Sequence, residues 1–389
     1  MSATPRSYLD HNATAPLRPA VAEAMARALV ELPGNPSSIH AEGRAARAAL
    51  ERARTAVAAL VGTRSEALTF TSGGTEACNA VLGPGTRRGP AAGLPVLLVG
   101  ATEHACCLEG HRFPAGAVEH LPVDGDGLLD LGRLHDRLAA PATGPVLISV
   151  GAANAETGVL QPLAEIVCLA SGLPGTVVHA DAVQAAGRVP LDFATLGVDA
   201  LSLSAHKLGG PKGVGALVLR DGVVLDRLLG GGGQERGLRA GTENVAGIVG
   251  FGVAAEIAAA EITGEAVRLA GLRDGLLARL RAAAPDLVVF GEGAPRLPNT
   301  LAFAVPGLTA KTALIGFDLD GVALSSGSAC SSGKVRRSHV LAAMGIPPEL
   351  ASCALRASLG WSTTPADVER FAVAFERRVA SLYERRNAA

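Results

Sequence analysis

Short apolar runs that end in small or polar residues alternate along the chain with stretches of helical periodicity. The runs "EALTFTSGG" (66–74), "PVLLVGATEH" (95–104), "PVLISVGAAN" (145–154), "TVVHADAVQ" (176–184), "VDALSLSAHK" (198–207) and "GVGALVLR" (213–220) read as buried strands. Between them, residues 41–61, 128–139 and 162–171 carry apolar positions at helical spacing. The alternation predicts an α/β fold whose largely parallel sheet is covered by helices on both faces. Ligands of such sheets gather outside the carboxyl ends of the strands. Here those ends carry Thr71, Ser72, His104, Asn154, Asp181, Ser204, His206 and Lys207, which points to one shared site.

A long helical stretch, about 243–284, follows a glycine run, and the pattern then changes. "NTLAFAVPG" (299–307), "GVALSSGSACSSG" (321–333) and "LRASLGWST" (355–363) predict strands and loops of a smaller α+β unit. The expected division is a large ligand-binding domain over 16–255 and a small domain over 256–389, with residues 1–15 as an arm beside it.

Composition narrows the partners. The 389 residues carry a formal net charge of −1 and no basic block, which argues against nucleic acid. No uninterrupted apolar stretch is long enough to suggest a membrane span, and the N-terminal residues lack the apolar core of a signal peptide. Six cysteines at 78, 106, 107, 168, 330 and 353 show no CxxC spacing, so no metal site is expected. Free thiols in a reducing cytoplasm are the expectation. Cys78 and Cys168 read as packed on helices, and Cys353 as lying on one.

Several motifs carry possible chemistry, each beside a plainer reading. In "TSGGTEACN" (71–79), Gly74, Thr75 and Glu76 open a helix whose N–H groups suit a phosphate, although such glycines also serve simple turns. Asp181 ends a strand, where a carboxylate either caps a helix or pairs with a protonated ring nitrogen, as pyridoxal phosphate (PLP) requires. Gln184 follows on the same face. Lys207 sits beside Ser204 and His206 with "GGPKG" behind it, a setting for a carbonyl-reactive amine, with Lys212 as the rival. His104 is either a hydrogen-bonded core residue or an imidazole stacked on a ring. In "GGGGQERGLRAGTEN" (230–244), Arg236, Arg239 and Thr242 are candidate anion contacts across a dimer interface. Cys330, in "SSGSACSSG" (325–333), has the small polar neighbours of a reactive thiol on an exposed loop.

These stretches resemble the cysteine desulfurases of the iron–sulfur-assembly and nitrogen-fixation type, within the class V aminotransferase group of fold-type I PLP enzymes. The resemblance spans nearly the whole chain, through "YLDHNATAP", "GNPSSIH", "TSGGTEACN", "ATEHACC", "NAETGVLQP", "HADAVQAAG", "SAHKLGGPKGVGAL", "GGGQERGLRAGTEN", "SSGSACSSG" and "LRASLG". It implies that Lys207 holds PLP covalently, Asp181 pairs with the pyridine nitrogen, His104 stacks on the ring and Gln184 meets the phenolic oxygen. It assigns the phosphate to Thr75, Ser204 and His206, with Thr242 supplied across a homodimer interface. Gly74, Glu76 and Asn154 are further cofactor candidates; Arg356 and Asn35 are expected on the substrate carboxylate. Cys330 is expected to take sulfur from L-cysteine as a persulfide, leave alanine, and pass the sulfur to a protein acceptor such as an iron–sulfur scaffold. Selenocysteine lysis, another class V lyase reaction, sulfur supply to tRNA thiolation, or a silent scaffold-binding homologue are the alternatives. Two departures stand out. The sequence has Asn154, Ala155 and Glu156 where the family commonly has two asparagines before the glutamate, and the basic "KVRRSHV" (334–340) follows the thiol loop.

Overall fold

The structure is a computed structural model that describes residues 6–89, 93–140, 144–326 and 337–388. Its centre is a seven-stranded sheet made of β1 (Leu68–Thr71), β2 (Leu97–Gly100), β3 (Val118–Leu121), β4 (Leu147–Gly151), β5 (Val177–Asp181), β6 (Ala200–Ser204) and β7 (Gly215–Leu219). The strand order is β1-β7-β6-β5-β4-β2-β3. Pairs from β3 through to β6 are parallel, while β7 runs antiparallel to both β6 and β1. The expectation of a mostly parallel, helix-covered sheet holds, with one reversed strand. β3 escaped the sequence reading because it is an edge strand, "VEHL", with only Leu121 buried.

Helices α1 (Pro19–Glu31) and α2 (Ala41–Leu60), then α3 (Gly74–Val81), α4 (Ala105–Leu108) and α5 (Val245–Ala283), surround this sheet. Central strands buried at every position explain why they read as unbroken apolar runs. Leu50, Val57, Phe70, Ile148, Leu201 and Phe251 belong to one core between the sheet and its helices. A second core forms around the antiparallel sheet of β8 (Val288–Val289), β9 (Thr300–Ala304) and β10 (Ala354–Ser358), covered by α6 (Pro365–Ala388). Its centre is a set of edge-to-face phenylalanines: Phe371 lies 5.3 Å from Phe317, and Phe375 lies 5.9 Å from Phe303, between ring centroids.

The expected boundary at 255/256 falls inside α5, one unbroken helix. Its Phe251, Ala254 and Ala258 join the first core, and its Leu269, Leu276 and Leu280 join the second. α5 is long and apolar enough by length and composition to cross a membrane, and half of its most apolar window is buried inside the protein. The N-terminal arm pairs Ser7–Tyr8 in parallel with Val322–Ala323 and continues past Ser358 of β10. Two cysteine readings change: Cys168 is exposed on its helix, and Cys353 is buried in the turn before β10.

The glycine-rich loop after β7 is fixed by a buried ion pair. Arg54 of α2 donates to both carboxylate oxygens of Glu235, at 2.8 and 2.7 Å, with both side chains 2% exposed. Glu235 also accepts from Phe70 N at 2.8 Å, and the guanidinium lies 4.8 Å above the Phe70 ring. Glu235 and Arg236 adopt φ of 46° and 57°, strain that this pairing offsets. Glu235→Ala leaves Arg54 charged and buried, so it should lower unfolding free energy by about 3–5 kcal/mol. Urea denaturation of the two proteins checks this; a loss below about 1 kcal/mol, the worth of a surface pair, contradicts it.

Candidate active site

β1, β2, β4, β5 and β6 deliver their carboxyl ends to one side of the sheet, where they rim a cavity of about 690 Å³. Gly74, Thr75, His104, Asn154, Asp181, Gln184, Ser204, His206, Lys207 and Arg356 all line it, so the sequence-selected residues converge. Glu76, Asn35 and Thr242 do not line it, and Cys330 lies outside the described residues.

Lys207 follows β6 in a single helical turn, Ala205–Lys207. Its ammonium donates to the carbonyls of Asn12 and, at 2.8 Å, Ala13. The glycines behind it have a steric reason. Gly209 has φ +80°, and a Cβ there would meet Arg18 Cγ at 2.8 Å. The arm is therefore part of the site, and Asn12 is its anchor. Asn12 Nδ2 donates to Thr300 Oγ1 at 2.9 Å and Ala155 O at 3.1 Å, while its Oδ1 accepts from Arg188 at 2.9 Å and Asn299 at 3.1 Å.

At the opposite wall, Asp181 Oδ1 accepts from Val183 N at 2.9 Å, and burial pushes its carboxyl up to about 6. Gln184 donates to Asn12 O at 3.0 Å. His104 accepts from Cys106 N at 3.1 Å through Nδ1 as it caps α4, which puts the proton of the neutral ring on Nε2. α3 opens into the cavity beside β6: a Cβ on Gly74 would lie 2.6 Å from Val183 Cγ2 and 3.5 Å from Ser204 Cβ. That close approach leaves backbone N–H groups, the Thr75 and Ser204 hydroxyls and His206 around one corner. Burial and the charges of Lys207 and Lys212 lower His206 to about 4, so its ring is neutral at pH 7.

On the second-core side, Arg356 of β10 donates to Asp10 Oδ1 at 2.6 Å and Ala155 O at 2.9 Å, and its buried Nε has no hydrogen-bond partner among the described residues. The Asn154 amide is committed to backbone groups, donating to Thr102 O in the loop after β2 at 2.9 Å and accepting from Glu156 N of its own loop at 2.8 Å. Asn35 is exposed and turned locally, its Oδ1 accepting from Ser37 N at 2.8 Å. Glu76 accepts from Ser72 N at 2.7 Å and Arg239 Nε at 3.1 Å; it braces the loop before α3 instead of facing the cavity. Arg236 donates to Glu66 O at 2.5 Å, so both loop arginines are engaged within the chain. Thr242 is exposed.

The fold also gathers what spacing separated. Cys78 on α3 meets Cys106 and Cys107 on α4 and Asp181 at the end of β5, with one potential ligand atom from each within 4.8 Å of the others. Without CxxC spacing, this grouping left no sign in the sequence.

The class-V aminotransferase family matches residues 7–371. The chain belongs to that family. It is 41% identical over 382 residues to the cysteine desulfurase IscS of Dictyoglomus turgidum, covering 96% of this chain and 95% of the relative. It is 43% identical over 370 residues to a cysteine desulfurase of Cereibacter sphaeroides, covering 94% of this chain and 93% of that one. A crystal structure of a NifS-like protein from Rickettsia africae superposes with a TM-score of 0.87 at 34% identity, over 97% of this chain and 99% of the other. As a class-V aminotransferase of PLP fold type I, the chain is a PLP-dependent enzyme. Its cavity fits that cofactor. A carboxylate short of positive charge, an amine and a helix N-terminus with hydroxyls stand around one space, as a protonated ring nitrogen, an aldehyde and a phosphate need.

Two further acids belong to this class-V site, though neither stood out in the sequence. Glu103 accepts from Gly151 N at 2.7 Å and is pushed up to about 8 by burial. Glu156 accepts from Ser338 Oγ at 2.6 Å and is pushed up to about 7 by burial. Unfolded, Glu103 releases its proton near 4.5, and folded only near 8. Between these values the folded chain holds the extra proton, so this group makes stability fall as pH rises. Its slope is at most about 1.4 kcal/mol per pH unit. In Glu103→Gln that part of the fall should vanish, as urea denaturation at several pH values between those limits would show; parallel slopes in the two proteins would contradict it.

Proposed function

We propose that this chain is a cysteine desulfurase that takes sulfur from L-cysteine onto Cys330, releases L-alanine, and hands the persulfide sulfur to a protein acceptor for iron–sulfur cluster assembly. The observation that carries the reading is the placement of an amine, a carboxylate and an arginine fork around one cavity. Arg337 and Ser338, which follow the Cys330 segment in the chain, line the same cavity. The named activity of the relatives supports the same reaction.

Bound PLP supplies an electron sink for the substrate α-carbon. Lys207 would hold the cofactor, and its amine would take the substrate α-proton and later return it to the α-carbon. Asp181 keeps the ring nitrogen protonated. His104, neutral with its proton on Nε2, would stack on the ring, and Gln184 would hold the phenolic oxygen. Thr75, Ser204, His206 and the Gly74 backbone hold the phosphate, with Thr242 reaching it across a homodimer interface. Arg356 grips the substrate carboxylate with a planar fork. The Cys330 thiolate attacks the substrate sulfur; the carbon–sulfur bond breaks, a sulfur–sulfur bond forms, and the substrate β-carbon takes the proton that completes alanine. A reducing compartment such as the cytoplasm keeps Cys330 ready for the next turnover.

Cys330→Ala should keep the PLP absorption band and still bind cysteine, yet accumulate no protein persulfide and release no sulfide. Mass spectrometry after one turnover should place the extra sulfur of the unaltered chain on Cys330. Full sulfide release by the variant would move the protein to a plain lyase. Arg356→Ala should lose about 2–5 kcal/mol of transition-state binding; a fall in kcat/KM of less than about tenfold would remove Arg356 from the carboxylate.

A further inference from the structure

Three cysteines cluster with Asp181 at the wall of the cofactor cavity, and their thiols have no part in the reaction above. Cys78 and Cys107 are wholly buried, and Cys106 is nearly so. Cys106 Sγ lies 3.9 Å from Cys107 Sγ, within reach of a thiol–thiol hydrogen bond. Tetrahedral zinc with bonds of about 2.3 Å to sulfur sets sulfur–sulfur edges of about 3.8 Å. All four ligand atoms already fall within 4.8 Å of one another, so an ion enters with little contraction. Three thiols with one carboxylate favour a soft, tetrahedral divalent cation over calcium or magnesium.

We propose that Cys78, Cys106, Cys107 and Asp181 form a zinc site that the chain fills only while PLP is absent. Cys106 and Asp181 line the cofactor cavity, whereas Cys78 and Cys107 do not, so the ion reaches the cluster through that cavity. PLP closes this path and takes the Asp181 carboxylate for its ring nitrogen. Zinc binding draws the same carboxylate toward sulfur. Each thiol gives its proton to solvent as its thiolate takes the metal, so the exchange involves no oxidant or reductant. The site would then hold the cofactor-free enzyme in a zinc-loaded, inactive form that PLP supply reverses.

The test uses the full-length Cys330→Ser chain, which removes the loop thiol, stripped of PLP and dialysed against buffered zinc. One zinc per chain should be retained, and prior loading with PLP should lower retention at least about tenfold by mass action. Cys78→Ser or Cys107→Ser should weaken zinc by more than the roughly 10–100-fold that loss of an outer supporting contact costs. Both variants should still develop the PLP absorption band, which reports that they fold. If neither folds, cadmium added to the cofactor-free chain with its cluster intact should give the thiolate charge-transfer band of three cadmium–sulfur bonds. Failure of the cofactor-free chain to retain zinc, equal retention with PLP bound, unchanged retention in both serine variants, or a cadmium band of fewer than three such bonds would overturn the proposal.

Discussion

Arg188 is the constraint on which the rest of the site depends. Its guanidinium is buried and finds neutral oxygens as hydrogen-bond partners: Asn12 Oδ1 at 2.9 Å, His11 O at 3.2 Å, Gln184 O at 3.3 Å and the Gln184 amide oxygen. Burial lowers it to about 9, a measure of how much solvation these oxygens have to replace. Two of the donors' targets come from the N-terminal arm, so the cation stays buried only while the arm is docked. Docking then turns the Asn12 and Ala13 carbonyls onto Lys207 and ties the arm to Thr300 in the second core. One buried charge thereby sets where the reactive amine sits and how the two cores meet.

Burial also sets the charge inside the cavity. It raises Glu103 to about 8, Glu156 to about 7 and Asp181 to about 6, and it lowers His206 to about 4. Near pH 7 Glu103 and the His206 ring are thus neutral, Glu156 is near its midpoint and Asp181 is mostly a carboxylate, while Lys207, Arg337 and Arg356 are cationic groups of the lining. A ligand that brings anionic phosphate and carboxylate groups and a cationic ring nitrogen is complementary to these charges.

The strand ends were legible because buried parallel strands read as apolar runs, and polar residues at their carboxyl ends have few reasons to be there except a ligand. That logic located Asp181, Ser204, His206 and Lys207 without any contact information. It did not find Asn12, because an extended arm has no periodicity to read. Glu76 was misread since a carboxylate in a first helical turn suits both an anion-binding loop and the Ser72 N–H it actually caps. The thiol cluster was invisible because Cys78 lies on α3 and Cys106–Cys107 on α4. Only the packing of those helices beside β5 brings the sulfurs within reach of Asp181.

The state of Arg356 bears on how substrate is chosen. The guanidinium already holds Asp10 at 2.6 Å and Ala155 O at 2.9 Å, and is 4% exposed. An incoming carboxylate therefore exchanges with a resident one, and the Coulombic gain of pairing largely cancels between the two states. What remains is geometry. Nε is buried without a partner among the described residues, and Asp10 contacts the fork through Nη2 alone, so a carboxylate that reaches Nε and Nη2 together would make the parallel pair of bonds that Asp10 does not. Satisfying that orphaned N–H removes a cost the resting protein bears. On the proposed function, selectivity for α-carboxylates would arise from a donor that no described residue satisfies at rest, while Asp10 keeps the buried cation paired.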